Sequence, residues 1–281
     1  MVVARHQRGV RADVTALTSQ VHPVFMLPPL AVSWYGALLA VDLDPVLGGL
    51  HTVAIFAAVY TAHVKDGYVD FYLRNEDDDH PLTATGCRWA LGGATVVFGV
   101  SLLALYWVVD IWIVMLTLPC WIIAYHHAPQ LDRHPLGATA GYPAGIALSL
   151  LGGHYVQSRD LSAIVVASAV VFFVLIAGIK IIDDSTDREY DQSIGKRTVA
   201  VLADRRGARG IAYGLFAIAI GVVLVCVPLG ILPSSAAVAC IAFMLVAVIA
   251  WFAEPVVATM LLIRGSYLFL AGLVAAVWLH G

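Results

Sequence analysis

The sequence predicts an all-α membrane protein, a single bundle of about nine transmembrane helices with a cytoplasmic N-terminus. Three observations predict it. Apolar residues make up 60% of the 281 and charged residues 12%, and the mean hydropathy is +0.86, too apolar for a water-soluble fold. The apolar runs recur at the length of roughly 20 residues that a helix needs to cross about 30 Å of hydrocarbon. Basic residues, finally, fall almost wholly on one side of the alternating loops.

The chain opens on a polar segment, residues 1–20, that carries Arg5, Arg8 and Arg11 without an apolar run. No small-residue cleavage pattern follows, so no removable signal peptide is expected. Spans are then predicted at Val24–Val41, His51–Tyr72, Trp89–Val108, Ile111–Tyr125, Gly137–Tyr155, Leu161–Ile182, Ile211–Leu229, Ser234–Phe252 and Val256–His280. Only Val109 and Asp110 part the third from the short fourth. With the N-terminus inside, Arg74, Arg88, Arg133, Arg188, Lys196, Arg197, Arg205, Arg206 and Arg209 join the three N-terminal arginines on the cytoplasmic face, and Arg159 alone lands outside. No Pro-, Gly- or Ser-rich linker and no short repeat divides the chain, so residues 1–281 are expected to form one domain, integral to the cell membrane and multi-pass. The ends of the second and sixth spans both carry aspartates on the cytoplasmic face, a faint echo that suggests a duplicated half-bundle. Cys87, Cys120, Cys226 and Cys240 are isolated in apolar surroundings and read as buried thiols. The net charge of −3 says little by itself, because the charges are concentrated in a few segments; no nucleic-acid partner is expected.

Of nineteen acidic residues, six lie in Asp66–Asp79 and five in Asp183–Asp191. Such clustering beside a membrane is costly and asks for a function. In the second stretch Asp183, Asp187 and Asp191 recur at four-residue intervals, with Asp184 beside them. If the sixth helix runs through them, successive members lie only about 40° apart and form one carboxylate stripe. A multivalent cation relieves the repulsion in such a stripe, and Mg2+ suits it, because that ion takes a few carboxylates and completes its shell with substrate phosphate and water. Gly195-Lys196-Arg197-Thr198 follows as an anion-binding counterpart. In the first stretch Asp66 and Asp70 share a face with Arg74, which reads either as an Asp70–Arg74 ion pair or as metal ligands with Lys65 or Arg74 reaching phosphate. Glu76, Asp77, Asp78 and Asp79 read as a hydrated loop, with further metal ligands as the alternative. His126, His127 and His134 have no partner at metal-ligand spacing, and Arg264 in the ninth span is expected to pair with a polar group or to lie near an interface.

On these residues the chain resembles the UbiA superfamily of intramembrane prenyltransferases, from about residue 20 onward. The family's second motif, D-x-x-x-D-x-x-x-D, is matched by Asp183, Asp187 and Asp191 with the Gly195–Thr198 continuation, and Tyr125-His-His-Ala-Pro-Gln-Leu-Asp-Arg133 is similar to its tyrosine, proline and basic segment. The first motif, N-D-x-x-D-x-x-x-D in the family, departs: Asp66 stands for Asn, Gly67 for the first Asp and Arg74 for the last. The resemblance implies an enzyme that moves an isoprenyl group from a polyprenyl diphosphate to a lipophilic acceptor, with membrane lipid around it and its active-site loops in the cytoplasm. Asp66, Asp70, Asp183, Asp184, Asp187 and Asp191 would then hold one or two Mg2+ ions, and Lys65, Arg74, Tyr125, Arg133, Lys196 and Arg197 the diphosphate. Lys180 either joins them or snorkels to the interface. Tyr68, Tyr72 and Tyr125 either face a carbocation or mark the membrane interface.

An aromatic quinone precursor is the broadest expectation for the acceptor, with a carotenoid, a prenylated glycerol phosphate or a tetrapyrrole alcohol as alternatives. Two other readings compete. A CDP-alcohol phosphatidyltransferase requires D-x-x-D-G-x-x-A-R and further downstream aspartates, which Asp66-Gly67-Tyr68-Val69-Asp70 does not supply. A cation-coupled transporter places its carboxylates near the midplane, whereas these lie at helix ends.

Overall fold

Prolines and short polar side chains set where the helices begin. A Pro in the first turn opens α2 (Pro23–Leu38), α3 (Pro45–Val69), α6 (Pro135–Ser158) and α11 (Pro255–Trp278), where its missing N–H costs nothing. Asp44 caps α3 by accepting from the amides of Val46 and Leu47 at 2.8 and 3.1 Å. Thr83 caps α4 (Ala84–Val108) through Gly86, and Asp110 caps α5 (Ile111–His126) through Trp112 at 2.7 Å. The two-residue break between the third and fourth predicted spans is therefore a capped helix boundary. α7 (Ala163–Asp184), α9 (Val199–Cys226) and α10 (Ala236–Trp251) complete the long helices, with α1 (Val10–Thr18) and α8 (Arg188–Ser193) as short ones.

This computed structural model describes residues 3–279; His280, the predicted end of the ninth span, lies outside them. Among the described residues the fold is all helical, and an isolated Ala4–Leu82 bridge is its sole β pairing. Pro45–Arg74, α4, α7, α9 and α11 are long and apolar enough to cross a membrane by length and composition, while α2, α5 and α10 are shorter apolar helices. The chain is thus an integral membrane protein.

One core packs α2, α6, α7, α9, α10 and α11 around Tyr35, Phe172, Phe216, Phe243 and Phe269; a second packs α3, α4 and α5 around Ile55, Phe98 and Ile113. α2 and α6 meet backbone to backbone. A Cβ at Gly36 would lie 2.1 Å from the Leu150 carbonyl oxygen, and one at Gly153 would lie 2.0 Å from that of Ser33, so only glycine allows this approach.

Three expectations need correction. The sixth helix does not run on through the aspartate ladder: α7 ends at Asp184, Asp187 (φ −104, ψ 14) precedes α8, and Asp191 lies in α8. The cause is local, since the hydroxyls of Ser185 and Thr186 take the carbonyls of Ile182 and Asp183 at 2.6 and 2.7 Å. Helix precedes the Ile211 start expected for the seventh span: Thr198 caps a first stretch from Val199, the backbone breaks at Asp204 (φ 58, ψ 174), and Asp204 caps the long stretch that follows through the Gly207 amide at 2.7 Å. The acidic loop after Arg74 is also more than hydrated surface: Arg5 donates its amide to Pro81 at 2.9 Å, and His6 and Arg5 contact Asp79 at 2.9 and 3.6 Å, so the N-terminal segment folds back onto it.

Candidate active site

A cavity of about 590 Å3 lies between the two cores, walled by α2, α3, α5, α6, α7 and α11. Its interior is apolar, with Pro28, Pro29, Ile55, Ile146 and Ile176 among the lining side chains. Asp66 from α3, Asp70 from the turn that follows it, and Lys180 and Asp183 from α7 supply charge to its lining, so four of the residues singled out from sequence meet at one cavity although more than a hundred positions separate the two pairs.

The first aspartate segment ends in a π-turn, Asp70–Arg74, closed by the Glu76 amide donating to the Asp70 carbonyl at 2.8 Å and by Asn75 at φ 52. Arg74 spans two carboxylates: its Nη1 lies 3.2 Å from Asp70 and its Nη2 bonds Asp132 in the loop after α5. The side chains of Arg74 and Asp132 are only 12% and 11% exposed, so this is an enclosed ion bridge. The Asp70–Arg74 pair that the sequence left open is formed, and Asp132 joins it.

At the other motif, Lys180 contacts Asp183 at 3.3 Å and also bonds Asp184, a buried carboxylate whose second oxygen has no partner. Lys196 links the two motifs, with its Nζ 3.4 Å from Asp191 and 3.5 Å from Glu76. Burial alone would lower the Lys196 ammonium, but Asp191, Glu76 and Asp70 outweigh it and hold the group above its ordinary range. Burial pushes the Asp191 carboxyl the other way, upward, against the pull of Lys196. The three facing carboxylates keep Lys196 charged. The Arg197 amide donates to the Asp132 carbonyl at 3.1 Å, which fastens the Gly195–Thr198 loop to the Arg74 bridge.

Not every candidate reaches the cavity. Asp187, Arg133 and Arg197 have exposed side chains and do not line it. Lys65 lies 4.9 Å over the Tyr125 ring, also off the lining. Conversely, His22, His63, His80 and Tyr142 line the cavity and were not among the candidates, and His127, weighed only within a weak histidine cluster, lines it too. Asp132 sat unremarked within a segment quoted for its Tyr125 and Arg133; its one sequence signal was an acid flanked by that loop. All four cysteines are buried and free, as expected.

The carboxylates suit a hard cation by donor type. Among the described residues no three His, Cys, Asp or Glu side chains converge tightly enough to hold a metal unaided. The carboxylates that line the cavity are Asp66, Asp70, Asp77, Asp79 and Asp183, and Mg2+ held among them would complete its shell with substrate phosphate and water; the orphaned oxygens of Asp184 and Asp132 are buried and off the lining.

The UbiA prenyltransferase family model matches residues 26–253. No curated protein matches the chain in sequence. Among solved structures, a UbiA homologue from Aeropyrum pernix K1 has a similar fold, with a TM-score of 0.75 at 18% identity over 91% of this chain and 98% of that one. A digeranylgeranylglyceryl phosphate synthase reaches a TM-score of 0.71 at 13% identity, covering 95% and 98%. A UbiA homologue from Archaeoglobus fulgidus, bound to GPP and Mg2+, reaches 0.67 at 15% identity, covering 95% and 99%. This chain belongs to the UbiA prenyltransferase family and is a transferase of prenyl groups.

Proposed function

We propose that the chain is a Mg2+-dependent intramembrane prenyltransferase that takes its prenyl group from a polyprenyl diphosphate and gives it to a lipophilic acceptor, with an aromatic quinone precursor as the acceptor class. The observation that carries the reading is the one cavity that joins Asp66, Asp70, Lys180 and Asp183 to an apolar interior between helices. A diphosphate head and a prenyl tail require that pairing.

In this reading Asp66, Asp70, Asp183, Asp184, Asp187 and Asp191 hold the cation, which when bound would neutralise charge on the leaving diphosphate. Lys180 provides a fixed positive charge at the same cavity, and Arg74, Lys196 and Arg197 extend it through the ion bridge and the loop fastened to it. Lys65, Tyr125 and Arg133 are assigned to the diphosphate from the adjoining segments. The allylic C–O bond breaks with its electron pair on the diphosphate; the acceptor then supplies a pair to that carbon and sheds a proton. The apolar wall excludes water that would capture the cation. The chain lies in the cell membrane as one domain of nine spans, with these loops in the cytoplasm.

Membranes carrying the protein, supplied with labelled farnesyl or geranylgeranyl diphosphate, Mg2+ and a panel of lipophilic acceptors, are expected to yield a prenylated product. Absence of diphosphate release with every acceptor, or full activity in the Asp183→Ala, Asp187→Ala double variant, would refute the reading.

A further inference from the structure

His80 is a chemically able group on the lining of the cavity that the preceding reading leaves without a task. It closes the acidic run after the π-turn, and only 3% of it is exposed. Its Nδ1 lies 3.2 Å from the Leu82 amide nitrogen and 3.0 Å from the Leu82 carbonyl oxygen, and Nε2 has no hydrogen-bond partner.

The bonding of Leu82, itself fully buried, decides which ring nitrogen carries the proton. Its carbonyl already accepts from the Tyr72 hydroxyl at 2.9 Å, whereas its amide has Nδ1 as acceptor. With the proton on Nε2, both backbone groups are satisfied; with it on Nδ1, a buried amide is stranded, the costlier arrangement. The ring therefore presents Nε2–H as a donor.

That N–H faces the bare Cα of Gly67. A Cβ at residue 67 would lie 2.8 Å from Nε2, and Gly67, Asp66, Asp70 and His80 line the same cavity end. Position 67 is where the family pattern has the first aspartate, so the imidazole stands where that side chain would begin. A carboxylate there would meet a phosphate through a metal ion; an N–H donor meets it directly.

We propose that His80 is a diphosphate-binding residue, its Nε2–H, buried and unpartnered against Gly67 in the free protein, donating to a diphosphate oxygen once the substrate enters this end of the cavity. The inference rests on the prenyl diphosphate reading above. It makes the loss of the first aspartate an exchange of one kind of phosphate contact for another.

Calorimetric titration of the full chain in detergent with inorganic pyrophosphate and Mg2+ tests it. His80→Ala is expected to weaken binding by roughly 10- to 100-fold, the usual span for a hydrogen bond to a charged group. His80→Gln, which keeps an N–H donor, is expected to recover most of that loss. Gly67→Ala keeps the imidazole but pushes it aside, and is expected to weaken pyrophosphate binding in the same direction even if His80→Ala fails to fold. A merely structural role would lower the melting temperature of the free protein and leave the affinity of folded variants unchanged, which would overturn the proposal. Wild-type protein that binds no pyrophosphate with Mg2+ would overturn the prenyl diphosphate reading itself. Normal wild-type binding that is insensitive to both substitutions would overturn only the role of His80.

Discussion

Arg74→Met tests the enclosed bridge between Asp70 and Asp132. The substitution keeps an unbranched apolar stem and removes the guanidinium, leaving two carboxylates that are 17% and 11% exposed without the cation between them. Asp132 is the worse placed, since its other oxygen already lacks a partner. Removing one member of a buried ion pair costs about 3–5 kcal/mol, and the partial exposure puts this case near 3 kcal/mol. For a chain of this size that corresponds to a fall in melting temperature of about 6–12 °C. The assay is thermal unfolding in detergent without ligand. Asp132→Asn in the same background strands one charge fewer and is expected to restore about half the loss; raising Mg2+ is expected to stabilise Arg74→Met more than the wild type, because a divalent ion takes the place of the guanidinium. Melting of Arg74→Met within 2 °C of the wild type would refute the bridge, as would a loss that Asp132→Asn leaves unchanged.

The remaining expectations follow from single contacts. Asp183→Asn, at the cavity wall, is expected to lower prenyl transfer by about 100-fold or more, measured as labelled diphosphate release. Chelation with EDTA is expected to abolish transfer and Mg2+ to restore it; activity that persists in EDTA would remove the metal from the reading. Gly36→Ala and Gly153→Ala each drive a methyl into a backbone carbonyl and are expected to destabilise by about 1–3 kcal/mol, with the double variant falling short of the sum because both occupy one helix seam. Lys196→Ala is expected to speed amide exchange in residues 188–198 by releasing Glu76 and Asp191 together.

Apolar length placed the starts of α2, α5, α6 and α11 within two residues, at Val24, Ile111, Gly137 and Val256, but put α3 and α4 at His51 and Trp89, late by a turn or more, because the Pro45 and Asp44 start and the Thr83 cap lie outside the apolar run. The break after Asp184 was misread because the four-residue period is itself a helix signal, while the competing hydroxyls of Ser185 and Thr186 act on carbonyls three residues back. The early start of α9 was missed for a related reason: span-length hydropathy discounts Arg205, Arg206 and Arg209, although a capped helix carries them outside an apolar region without penalty. Within the site, Asp66, Asp70 and Asp183 stood out by their density in an otherwise uncharged chain. Asp132 and His80 did not, because their meaning comes from partners brought in by folding: an arginine 58 positions away for one, and the missing side chain of Gly67 for the other.

The two halves of the site differ in how they balance charge. The α7 side keeps its carboxylates in series and sets one lysine, Lys180, against Asp183 and Asp184. By the motif resemblance, the α3 side lacks carboxylates at Gly67 and Arg74 and gains one at Asp66, and arginine at position 74 reverses the sign of the charge there. Arg74 then binds the one carboxylate retained in register, Asp70, and recruits Asp132 as well. A site built this way carries fewer negative charges at one motif and a resident cation beside it, so the electrostatic need for a second divalent ion is lowest at α3. Titration of Mg2+ against the pyrophosphate-bound protein is accordingly expected to reach one ion per chain, and Arg74→Asp with Gly67→Asp to raise that toward two; two ions in the wild type would show that the guanidinium does not substitute for a metal.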